Sequence, residues 1–203
     1  MHNEAIALDG GFVDPVLNAQ SVFRAMMDAM ARPATVVDVK PSVAPPAPLS
    51  PIIGAVACAL ADADTPIWLD PSYAQSTEVR DWLAFHSGAP IADRPAKATF
   101  ALIGDGAALP HFETFNQGTQ EYPDRSATLV IAIEAFGGGA QLTFRGPGIR
   151  GETTIAPRGL PADFADRWEE NTRRFPRGVD LVLVAGSSIA CLPRSARLIA
   201  REI

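Results

Sequence analysis

The side chains best suited to chemistry in this chain are arginines set against glycines. The run Phe144-Arg145-Gly146-Pro147-Gly148-Ile149-Arg150-Gly151 places two guanidinium groups on either side of a Gly-Pro-Gly turn. A planar guanidinium fork matches the oxygens of a phosphoryl or carboxyl group. Glycines at a strand end allow close backbone approach or a positive φ. The same run also reads as a strained turn with two solvated arginines. A second run, Phe85-His86-Ser87-Gly88-Ala89-Pro90, puts a histidine at a helix C-terminus, where the dipole favours the imidazolium form. It reads equally as a histidine that binds a terminal carbonyl.

Other reaction classes find little support. The three histidines, His2, His86 and His111, are far apart, and no Cys-x-x-Cys occurs, so no metal site is expected. Asp62 and Asp64 resemble a carboxylate pair, but Ala-Asp-Ala-Asp-Thr-Pro reads as a helix exit and turn. There is no Gly-x-Ser-x-Gly elbow and no Walker-type phosphate loop. Gly137-Gly138-Gly139 lies between two strand-like runs, so no helix N-terminus stands behind it. Of 17 basic residues only Lys40 and Lys97 are lysine, which leaves two candidates for Schiff-base chemistry. Lys97, just before a strand, is the one worth testing. Cys58 and Cys191 each sit in an apolar run and are expected to be buried free thiols.

These residues must be positioned by ordinary globular elements. The composition is 47% hydrophobic and 20% charged, with a net charge of −6. No basic stripe is present to neutralise a nucleic-acid backbone, so nucleic acid is not an expected partner. The N-terminus lacks the basic and apolar regions of a signal peptide, and no apolar run reaches membrane-span length. A cytoplasmic protein with a single domain over residues 1–203 is expected.

Asp14-Pro15 signals a helix start, and Pro33 requires its end at Arg32. Val16, Phe23, Met26, Met27 and Met30 recur at helical spacing, predicting a face packed on the core. Thr35 to Val39 reads as a strand, Pro41 to Pro51 as a loop, and Ile52 to Leu60 as a buried helix. Thr65 to Leu69 follows as a strand. Ser76 caps a helix to Phe85, ended by Gly88. Thr99 to Ile103 is a strand, and Gly104 to Asp124 is irregular. Ala127 to Phe136 reads as a long strand with Gln141 to Arg145 as its hairpin partner. Pro161 to Arg174 is a helix, Val179 to Ala185 and Ile189 to Leu192 are paired strands, and Ala196 to Ile203 is a last strand. The expected class is α/β, a mixed β-sheet with packed helices.

Several segments, in order, resemble the PhnH family of the bacterial carbon–phosphorus lyase system. They are Phe23-Arg24-Ala25-Met26-Met27-Asp28-Ala29-Met30-Ala31-Arg32-Pro33, Ala61 to Leu69, Phe85 to Pro90, Pro123 to Leu129, Gly146 to Ile149 and Phe175 to Leu181. Where family members often carry Pro-Gly, this chain has Pro33-Ala34, which should alter one turn.

The resemblance implies a cytoplasmic subunit of the lyase core complex, alongside PhnG, PhnI and PhnJ, for use of alkylphosphonates. The associated step joins methylphosphonate to the ribose of ATP, giving ribose 1-methylphosphonate 5-triphosphate. The iron–sulfur radical chemistry belongs to another subunit. The resemblance also implies a homodimer with a fold like the pyridoxal-phosphate-dependent transferases but without the cofactor. It carries over no catalytic residue. An accessory, assembling role is the first expectation. The alternatives are a subunit whose arginines contact the triphosphate, or a stand-alone α/β transferase. Candidate ligand or interface residues are Arg24, His86, Arg145, Gly146, Gly148, Arg150 and Arg177.

Overall fold

The computed structural model of the chain describes residues 9–202. His2, the N-terminal segment read above as no signal peptide, and Ile203 lie outside them.

Local chemistry sets the helix boundaries. The Asp14 carboxylate accepts from the Leu17 N–H at 3.0 Å, and Pro15 opens α1 (Pro15–Ala31), which stops ahead of Pro33. The Ser50 hydroxyl accepts from the Ile53 N–H at 3.3 Å and caps α2 (Pro51–Leu60). Residues Ile52 to Ala57 are all buried, so this small-residue helix is enclosed as its composition suggests. A one-turn α3 (Pro71–Ala74) starts on Asp70. Ser76 caps α4 (Thr77–Ser87), and Gly88 ends it at φ 70°, a conformation that glycine takes without steric cost. The last helix is α5 (Phe164–Arg173).

The strands in chain order are β1 (Val37–Asp38), β2 (Ile67–Leu69), β3 (Phe100–Ile103), β4 (Thr128–Ala132), β5 (Gln141–Arg145), β6 (Thr153–Ile155), β7 (Asp180–Ala185), β8 (Ser188–Leu192) and β9 (Arg197–Glu202). The main sheet has the order β1-β8-β7-β4-β3-β2. Strands β2, β3, β4 and β7 run parallel, while β8 and β1 join antiparallel. A parallel core covered on both faces needs strands apolar on both sides. In β4, Leu129 and Ile131 face one core cluster and Val130 the other; in β7, Leu181 and Leu183 oppose Val182 and Val184 in the same way. Helices α1, α2 and α4 cover the first face. The second face carries α5 and a small antiparallel sheet, β6-β5-β9. The α/β class and mixed sheet are therefore as expected.

Two expectations need correction. Strand β5 is not the hairpin partner of β4. Both edges of β4 are already paired, to β3 and to β7, so it has no free edge for a hairpin. The chain leaves the main sheet after Ala132, and β5 pairs instead with β6 and β9. The short strand β6 had no clear sequence signal. The second correction concerns α1. Its core face is Val22, Met26 and Ala29, whereas Val16, Phe23 and Met27 are 71%, 49% and 56% exposed. These three share one helical face, at spacings of seven and four residues, and that face points outward.

The Gly-Pro-Gly turn meets the end of α1. Gly148 stands at φ 80°, and a methyl group there would penetrate the Ala31 carbonyl oxygen. Ala34, where the resemblance leads to the expectation of glycine, takes a left-handed conformation at φ 60°.

Two outcomes are expected. Gly148→Ala should lower stability by about 2 kcal/mol or more, because both strain and a backbone clash are introduced. Its thermal unfolding midpoint should fall by roughly 5 °C. Burial pushes both cysteine thiols up to about 12, with the Asp180 charge adding to the effect at Cys191. The thiolate fraction at pH 8 is then on the order of 10⁻⁴. Thiol reagents should label Cys58 and Cys191 only after a denaturant is added; rapid labelling of the native chain would contradict this.

Candidate functional site: an arginine-walled cavity

The second layer is built on aromatic side chains. Phe112, Phe144 and Phe164 surround Trp168 of α5 with ring centroids 6.2–6.5 Å away. The Trp168 indole N–H donates to the Ala196 carbonyl at 2.9 Å, fixing the start of β9 against α5. Where β5 ends, β9 begins and α5 terminates, a surface cavity of about 530 Å³ opens. This volume lies within the range of small-ligand pockets.

Arg194 forms one wall and is itself held rigidly. Its backbone N–H and its Nε donate to the Asp180 carboxylate at 2.7 and 3.0 Å, and Nη2 donates to the other carboxylate oxygen. Its Nη1 donates to the Pro123 carbonyl at 2.6 Å. Arg194 thereby ties the Pro123 segment to the Phe175–Leu181 segment, two of the motifs that carry the family resemblance. Asn171, buried in α5, braces the same turn by exchanging hydrogen bonds with Val179 at 2.9 Å in both directions.

The other cations of the cavity are Arg145 and Arg197. They are direct cross-strand partners in the β5–β9 ladder, so both side chains leave the same face. Arg145 pairs with Glu152 at 2.6 Å through one nitrogen, both side chains being at least half exposed. Arg197 has no carboxylate within ion-pair distance among the described residues. Gly146 lines the cavity, and a methyl there would sit 2.8 Å from the Ser195 carbonyl oxygen. Phe175, 58% exposed, and Ile199, 44% exposed, supply an apolar side.

The structure brings Arg145 and Gly146 together and leaves the other candidates elsewhere. Gly148 serves the contact with α1. Arg24, Arg150 and Arg177 are exposed and do not line this cavity. His86 lies in a separate cavity of about 220 Å³ with Gly11, Phe12, Pro15 and Cys58. It does not cap a carbonyl: Nε2 is buried without a hydrogen-bond partner, and the ring rests 4.6 Å from Trp82. The helix end is closed instead by the Gly88 N–H donating to the Ala84 carbonyl and by the Ser87 hydroxyl donating to the Leu83 carbonyl. Arg197, Arg194 and Phe175 were missed as site residues. Arg197 becomes meaningful only through its register with Arg145, which the sequence does not display. Among the described residues, no cluster of three metal-ligating side chains is present.

The fold and cavity define an α/β protein whose mixed sheet is covered on both faces, with a small satellite sheet and an arginine-walled surface site. The chain belongs to the PhnH family: the family described as "Bacterial phosphonate metabolism protein (PhnH)" matches residues 10–199. It is 51% identical over 189 residues, 93% of this chain and 94% of the relative, to the "Alpha-D-ribose 1-methylphosphonate 5-triphosphate synthase subunit PhnH" of Rhizobium meliloti (strain 1021). It is 32% identical over 181 residues, 88% of this chain and 85% of the relative, to the "Putative C-P lyase subunit protein HtxG" of Stutzerimonas stutzeri.

Removing the Arg194 guanidinium leaves the Asp180 carboxylate, 19% exposed, without its partner. Arg194→Ala is expected to cost about 3 kcal/mol. Denaturant titration should show a lower midpoint with an unchanged slope.

Proposed function

We propose that this chain is a subunit of an alpha-D-ribose 1-methylphosphonate 5-triphosphate synthase in the carbon–phosphorus lyase pathway, and that it works by assembly with other chains. The observation that carries this reading is the 51% identity to the Rhizobium meliloti subunit across nearly the full length of both proteins. The exposed apolar face of α1 supports it. Val16, Phe23 and Met27 form a stripe that the described residues leave uncovered, at a cost proportional to the apolar area.

The proposed partners are PhnG, PhnI and PhnJ, with a second copy of this chain as the other expected association. The proposed location is the cytoplasm; no helix among the described residues is long and apolar enough to cross a membrane. The expected scaffold is transferase-like without pyridoxal phosphate. Lys97, the lysine worth testing for a Schiff base, is 55% exposed and paired with Asp93 at 3.0 Å. The stand-alone transferase alternative draws no support from the geometry.

Co-expression of the tagged chain with PhnG, PhnI and PhnJ should yield a co-eluting complex. Phe23→Asp combined with Met27→Asp should reduce recovery of the partner chains by about tenfold, because buried charge replaces apolar contact. Its thermal stability as an isolated chain should stay within a few degrees of wild type, since both side chains are already solvated. Elution of the wild-type chain alone under all conditions would remove the proposal.

A further inference from the structure

We propose that the cavity between the ends of β5, β9 and α5 binds an organic phosphate or phosphonate. Its tetrahedral oxyanion would lie between Arg145 and Arg197, and its apolar or aromatic body would rest on Phe175 and Ile199. This goes beyond the assembly reading and stands apart from it: a chain that assembles normally but binds no such ligand keeps the first and loses the second.

Three features converge on this ligand class. The first is charge placement. Like charges directly opposite on neighbouring strands destabilise a sheet. Yet Arg145 and Arg197 are such a pair, at the mouth of a cavity of about 530 Å³. An anion held between the two forks relieves their repulsion and uses donors that match phosphoryl geometry.

The second is contrast with the other cavity-lining arginines among the described residues. In a separate cavity of about 420 Å³, Arg158 and Arg201 are both neutralised, by Glu134 at 2.7 Å and Asp166 at 2.6 Å. Arg173 pairs with Glu169 at 3.3 Å, and Arg174 with Glu170 at 2.9 Å. Arg197 has no such partner among the described residues. Glu152 engages Arg145 through a single nitrogen in a solvent-exposed pair. Exposed pairs of this kind contribute little, so an incoming dianion can displace it.

The third is the apolar side. Phe175 and Ile199 are large and exposed beside two cations, an arrangement that favours an amphiphilic organic anion over a bare inorganic one. Arg194 cannot serve as a third mobile donor, because Asp180 and the Pro123 carbonyl occupy its nitrogens. It acts as a rigid wall.

The test is calorimetric titration of the full chain with phenyl phosphate, adenosine monophosphate, methylphosphonate, inorganic phosphate and benzoate. Phenyl phosphate or the nucleotide should bind most tightly and inorganic phosphate more weakly. Affinity should fall as salt rises from about 50 to about 500 mM. Arg197→Ala should weaken the organic phosphates by about tenfold or more. Glu152→Gln should tighten them, since it removes a competing carboxylate. Phe175→Ala should weaken phenyl phosphate while leaving inorganic phosphate unchanged. All three residues are exposed, and matching unfolding midpoints will show that each variant is folded. The proposal fails if neither wild type nor Glu152→Gln binds any phosphorylated probe. It also fails if Arg197→Ala binds them as wild type does, or if benzoate equals phenyl phosphate.

Discussion

Strand β4 is hydrogen-bonded along both edges, to β3 on one side and β7 on the other, and this double occupancy shapes the remainder of the molecule. With no free edge available, the chain emerging from β4 cannot fold back as a hairpin. It crosses out of the sheet and builds a second, smaller sheet on one face. That sheet needs a reason to stay. Phe112, Phe144, Phe164 and Trp168 supply it, each burying a large side chain worth about 1.5–3 kcal/mol. The cavity exists because the ends of this satellite sheet meet the end of α5 without filling the space between them.

The arginines divide by what neutralises them. Arg194 is half-buried and fully engaged, so it acts as a structural bolt. Several arginines that line cavities or lie on α5 have carboxylate partners. Against that background, a cross-strand pair with only one exposed carboxylate between them is a local excess of positive charge. It is confined to one cavity mouth, and long-range repulsion by the whole chain is screened beyond about 10 Å in salt.

The segments that resemble the PhnH family meet in pairs. Gly148 packs on the end of α1, joining the Gly146–Ile149 turn to the Phe23–Pro33 segment. The Ile67 N–H donates to the Pro90 carbonyl at 2.9 Å, joining Ala61–Leu69 to Phe85–Pro90. Thr128 pairs with Asp180 in the main sheet, and Arg194 reinforces the same junction. These segments are where the chain must touch itself, so their residue types answer to packing. The outward stripe of α1 answers to something else, since no part of the described chain covers it.

The sequence by itself determined the features that depend on neighbours a few residues away. Asp14-Pro15, Ser76 and Gly88 marked helix ends because capping and φ preferences are local. The continuous apolar runs marked the core strands; of the two thiols expected to be buried, Cys191 is buried, whereas Cys58 is half-buried at the edge of the His86 cavity. Tertiary structure alone decided what depends on distant partners. Helical spacing put Val16, Phe23, Met26, Met27 and Met30 on one core face, but it could not separate the buried Met26 from the outward Val16, Phe23 and Met27, because all are apolar. Alternation made Gln141 to Arg145 a strand but could not name its neighbour, since pairing depends on which edges other strands leave free. Arg145 was visible as a candidate beside its glycines, whereas Arg197 was not. Its place opposite Arg145 follows from strand register, shifted by an irregularity between Thr143 and Phe144, and register is set by packing rather than by any residue type.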